Sequence, residues 1–98
     1  MNALDYRLRE ASVLRRIPGA EEIEEAGEQE QQMLASKYPD AAFAVMIVDN
    51  VYKRTDRELS EIYGRAYASL LNDENIAGIR FRYDCEMEAY VRRHMWDD

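Results

Sequence analysis

Few side chains in this sequence could carry chemistry. There is one histidine, His94, and one cysteine, Cys85, among 98 residues. A hydrolase of the Ser-His-Asp or Cys-His type would need His94 as its base. Cys85 precedes it by nine residues, with no orienting sequence around either. His94 therefore reads as a half-exposed residue near a helix C-terminus, where the dipole favours its protonated form. A lone cysteine permits no intrachain disulfide and no cysteine-based zinc site. Any metal site would be carboxylate-rich, and neither H-x-x-x-H nor EF-hand spacing occurs. Glu21, Glu22, Glu24, Glu25 and Glu28 could bind a hard cation weakly, but a helix spreads them around its circumference. A solvated acidic face is expected instead. The four glycines, Gly19, Gly27, Gly64 and Gly78, are too far apart for a phosphate cradle. Paired-carboxylate catalysis needs a pocket that perturbs pKa values, and these acids sit where exposure is expected. The chain is thus expected to be no enzyme and to need no cofactor or metal.

What remains is surface for recognition. The second half carries Tyr52, Tyr63, Tyr67, Phe81, Tyr83, Tyr90 and Trp96. Most belong in the core, but a helical domain of this size can leave two or three exposed. Tyr and Trp anchor interfaces because they add large area at low entropy cost. Tyr90 and Trp96 are the aromatic candidates for partner binding. Glu21, Glu22, Glu24, Glu25 and Glu28 are the acidic ones.

Charge limits the partner. The formal net charge is −7. Residues 1–19 carry four Arg against Asp5 and Glu10, a net of +2, whereas residues 20–36 carry six Glu and no basic residue. Residues 37–98 hold nine basic and twelve acidic groups, a net of −3. Direct nucleic-acid binding needs a basic face, and anionic membranes repel an acidic one. The partner expected is another protein, with a second copy of the chain as one candidate. The longest apolar run, Ala41 to Val48, is far short of the ~20 residues of a membrane span. The first residues lack the basic-then-apolar pattern of a signal peptide, so a cytoplasmic setting is expected.

The elements that must position these residues follow from periodicity. Leu4, Leu8, Ala11 and Leu14 predict a helix over 3–16, with Asp5–Arg9 as an i,i+4 pair. Ile17-Pro18-Gly19 ends it. A second helix is predicted over about 20–37, with a thin apolar face of Ile23, Ala26, Met33 and Leu34. Gly27 weakens its middle, so it should be peripheral and easily frayed. Tyr38-Pro39-Asp40 is a break. The run Ala41–Val48 then fits a buried helix or a buried strand; three alanines favour a helix to about Lys53, while Val45, Ile47 and Val48 favour a strand. Thr55 and Glu58 match a capping box. Leu59, Ile62, Tyr63, Ala66, Tyr67 and Leu70 follow as a helical stripe, closed by Asn72-Asp73.

Residues 75–96 hold two patterns at once. Ile79, Phe81, Tyr83, Cys85 and Met87 alternate with charged residues, as in a strand. Ile76, Ile79, Tyr83, Met87, Tyr90 and Val91 make a helical stripe, and Arg80–Asp84, Arg82–Glu86 and Glu88–Arg92 are opposite charges four apart. No adjoining turn offers a hairpin partner, so a helix is preferred. One domain over 1–98 is expected, all-α, a small bundle of four to five helices. The alternative is α+β with strands near 42–48 and 78–85.

Short motifs carry a resemblance over roughly residues 37–97. They are Lys37-Tyr38-Pro39 before the Ala-rich segment, the Asn72-Asp73-Glu74 junction, and Glu86-Met87-Glu88-Ala89-Tyr90 with His94-Met95-Trp96-Asp97. In these the chain resembles small uncharacterised helical proteins of bacterial mobile elements and phages. The resemblance implies a helix over 75–96 and brings no activity or site. Two functions are expected from different classes. One is a non-enzymatic protein-binding module using an aromatic and aliphatic helix face, self-associating or not. The other is an anti-defence inhibitor whose acidic helix imitates nucleic-acid charge.

Overall fold

The structure, a computed structural model, describes residues 3–96, with side chains over 10–95. Six helices and no strand form among the described residues: α1 (Ala3–Arg16), α2 (Ala20–Glu25), α3 (Glu28–Lys37), α4 (Pro39–Asn50), α5 (Arg57–Leu71) and α6 (Ile76–Trp96). The fold is all-α, with one helix more than the four to five predicted. Neither alternative strand, near 42–48 or 78–85, is formed. Leu4, Leu8 and the Asp5–Arg9 pair lie outside the described side chains. The chain gathers into two units, one ending at Val48 and the other beginning at Asp49.

In the first unit, α1 stops before Ile17-Pro18-Gly19, and the Ala20 N–H bonds back to the Ile17 carbonyl at 3.1 Å. Gly19 turns the chain with φ at +88°. A Cβ there would lie 2.5 Å from Cγ of Tyr38. Only glycine meets both demands, since L side chains are strained in the left-handed region and this one would also overlap a ring.

The predicted helix over 20–37 is two helices, broken at Ala26 and Gly27, both extended. The physical reason lies in the spacing. Ile23 and Leu34, eleven residues apart, share one face of a straight helix at 3.6 residues per turn. Glu30, seven from Ile23, would then sit in the middle of that buried stripe. The break frees Glu30 to solvent while Ile23 stays buried and Leu34 half-buried. Gln31 bridges the gap, its side-chain amide donating to the Ile23 carbonyl at 2.9 Å. That carbonyl also accepts from the Ala26 N–H at 3.2 Å, so both of its acceptor positions are used at the end of α2. Ala20, Ile23, Ala41 and Val45 form the unit's core cluster, with Leu14, Ile17, Leu34, Tyr38 and Ala42 packed against it.

Tyr38 ends α3 and starts α4. Its N–H bonds to the Leu34 carbonyl at 2.7 Å, and its own carbonyl accepts from Ala42 at 3.0 Å. Pro39 follows at the first helical position, where its missing N–H costs nothing. It keeps Tyr38 out of the helical region. In α4, Ala41, Phe43, Ala44, Val45, Ile47 and Val48 are all buried. A helix apolar on most sides belongs inside, which is why neither a stripe nor an alternation was readable there.

The second unit is built on α5 and α6. Asp56, not Thr55, caps α5: its Oδ1 accepts from the Leu59 N–H at 3.1 Å. The predicted stripe is on the inside, with Ile62, Tyr63, Ala66, Tyr67 and Leu70 buried and Leu59 half-buried. α5 ends in two nested bonds, Asp73 N–H to Leu70 O and Glu74 N–H to Ser69 O, each 3.1 Å. This Schellman arrangement places Asp73 at φ +56°, a position usually held by glycine. Asn75 opens α6. Its Oδ1 accepts from the N–H groups of Ala77 and Gly78 at 3.0 and 3.2 Å.

Candidate functional site

α6 runs back along α5, so that its last turns lie beside the start of α5. Ile79 is its one fully buried side chain among the described residues. Ile76, Tyr83, Glu86, Met87 and Tyr90 share its face and are half-buried. Polar contacts reinforce this inner face along its length. Tyr83 donates to the Tyr63 hydroxyl at 3.1 Å, with the rings edge to face at 5.6 Å. Burial, then that bond, pushes the Tyr83 phenol well above its usual range. Arg65 grips Glu86 through Nε and Nη2, the shortest contact being 3.0 Å. Tyr90 donates to Asp56 Oδ2 at 2.9 Å. Asp56 thus caps α5 with one oxygen and anchors α6 with the other. Its pKa lies below the usual carboxylate range because of the Leu59 N–H first and Tyr90 second. Tyr90 is shifted upward by the same bond, then by burial. Glu58 completes the closure, pairing with Arg93 and meeting His94 Nε2 at 3.1 Å. The His94 ring also lies 4.1 Å from that of Tyr90.

The opposite face of α6 is uncovered. Phe81 is 72% exposed, Met95 71% and Val91 44%. Ala77, Asp84, Cys85, Glu88 and Arg92 are exposed on the same side. Glu88 and Arg92 form an ion pair along the helix at 2.5 Å. The outcome is a strip with apolar ends and a charged middle.

The aromatic candidates fall differently. Tyr90 is half-buried and engaged with Asp56, so its ring belongs to the α5–α6 seam. The Trp96 side chain lies outside the described residues. Phe81 and Tyr52 are exposed aromatics that the sequence does not single out, and of the two only Phe81 lies on α6. A signal was available: once Ile79, Tyr83 and Tyr90 share one side, residue 81 must lie on the other.

All five acidic candidates are exposed, but they do not form one row. Glu21, Glu24 and Glu25 on α2 border a depression with Ala11, Leu14 and Arg15. Glu28 on α3 borders another with Gly27, Gln29, Glu30 and Met33. Glu22 borders neither. No three His, Cys, Asp or Glu side chains among the described residues converge as metal ligands would. Cys85 and His94 point apart, since nine residues along a helix are half a turn out of phase and about 13 Å distant. No described helix is long and apolar enough to cross a membrane. Comparison with protein-family models, with curated proteins and with solved structures gives no match.

Proposed function

We propose that this chain is a non-enzymatic protein-binding module whose contact surface is the outer face of α6. The observation that carries the reading is a firmly anchored helix with Phe81, Val91 and Met95 turned to solvent. Aromatic residues, Met and Arg are the types enriched at protein interfaces, and Phe81, Met95 and Arg92 supply one of each. Rigid anchoring on the inner side lowers the entropy cost of presenting the outer side. The partner is a protein, since no basic face is available for nucleic acid or an anionic membrane. The cytoplasm is the proposed setting, and a mobile-element or phage origin goes with the resemblance over residues 37–97.

Capture experiments with the immobilised chain test this. Phe81→Ser with Met95→Ser should lose a partner that the unaltered chain retains, with the circular dichroism spectrum unchanged. Identical captured sets would remove the proposal. The competing function, a nucleic-acid mimic, draws on the exposed glutamates of α2 and α3. The bend at Ala26-Gly27 and the presence of Arg15 among them favour it less, because imitating phosphates requires a regular row. Glu21→Gln, Glu22→Gln, Glu24→Gln and Glu25→Gln together should abolish binding to a basic partner if that function holds.

A further inference from the structure

Resting on the binding-face assignment above, we infer that the occupant of the α6 outer face is a second copy of this chain, paired antiparallel about a two-fold axis at Glu88. The spacing of the strip carries it. Asp84 and Arg92 lie four residues either side of Glu88, and Phe81 and Met95 lie seven either side. A two-fold axis at residue 88 exchanges each member of a pair with the other. It sets Asp84 against the partner copy's Arg92, twice by symmetry, and Phe81 against Met95, also twice. Such a contact is isologous, one patch meeting itself. The charges are complementary where they meet, and a thioether at an aromatic edge is a favourable apolar contact. Asp84, Arg92, Phe81 and Met95 are all exposed on one side of the helix. Other centres along the strip do not match both pairs at once.

The same geometry predicts a built-in weakness. The two Glu88 side chains face each other at the axis, each held only by its own Arg92 at 2.5 Å. The strip from Phe81 to Met95 is about 21 Å long and, at a helix width of about 10 Å, offers roughly 200 Å² per copy, well short of what a permanent dimer buries. The association is therefore weak, concentration-dependent and tightened by removing the Glu88 charge.

Sedimentation equilibrium of the intact chain up to about 1 mM, the range of weak complexes, provides the test. The unaltered chain should dimerise, and Glu88→Gln should tighten the dimer several-fold. Asp84→Arg or Arg92→Asp alone should weaken it about tenfold or more. The double reversal should restore it, because Asp84 and Arg92 are about 12 Å apart on their own helix and meet only across the axis. A monomer throughout overturns the inference, as does a dimer indifferent to these reversals or not restored by the double change. If the chain stays monomeric while Phe81→Ser with Met95→Ser still loses a captured partner, the binding face stands and only its occupant is wrong. If both experiments fail, the face itself is wrong.

Discussion

Gly19 and Asp73 sit in the same left-handed region of backbone space, yet substitution should move stability in opposite directions. At Gly19 a methyl group would be strained by φ +88° and would overlap the Tyr38 ring. Gly19→Ala should cost at least about 2 kcal/mol, seen as a lowered midpoint in urea. At Asp73 the side chain already occupies φ +56°, so Asp73→Gly relieves strain at the end of α5. A gain of about 0.5–1 kcal/mol is expected, and a thermal melt would register it as a rise of a few degrees. The sequence marked Gly19 as a turn residue through Pro18-Gly19, but the approach of Tyr38, nineteen residues away, carries no local signal. Asp56 likewise went unmarked. Thr55 three residues before Glu58 fits the capping-box pattern, whereas Asp56 is singled out by its bond to the Leu59 N–H and by Tyr90, thirty-four residues on.

Among the elements, α5 was the most readable because a single face of it is buried, so its period of 3.6 survives in the sequence. α4 was ambiguous for the opposite reason: burial on most sides erases periodicity. The helix over 20–37 was misjudged because its apolar stripe continues through a position, Glu30, that cannot be buried, and the chain resolves the conflict by bending. α6 carried both periods, and only the structure separates them. Ile79 lies inside and Phe81 outside, two residues that a strand would put on one face. Truncation should show the difference. Ile79→Ala is expected to cost about 2–4 kcal/mol. Phe81→Ala should change stability by less than about 0.5 kcal/mol. Equal losses in chemical denaturation would mean that the two faces have been assigned wrongly. α3 buries no side chain and should be the segment whose amides exchange fastest among α3, α4 and α5.

Across the whole molecule, pH acts on the closure between α5 and α6 from both sides. Asp56 has a lowered pKa in the folded chain. Its contribution is present above the carboxylate range of the unfolded chain and is lost as pH falls through the folded value. Tyr83 and Tyr90 have raised values. Their contribution is present below about pH 10, the unfolded phenol range, and is lost as pH rises through the folded values. Thermal stability should therefore show a plateau falling away at both extremes. Asp56→Asn should flatten the acid limb and Tyr90→Phe should shrink both; unchanged limbs would contradict the linkage. The fold class was readable from composition and periodicity, and the exposure of Phe81 was readable only once the stripe of Ile79, Tyr83 and Tyr90 is taken as the inner face of a helix. One thiol in the entire chain, Cys85, stands exposed between Phe81 and Glu88. A single maleimide-linked fluorophore would thus attach at one known point on that strip, and its emission would register whatever settles there, without any residue having to be replaced.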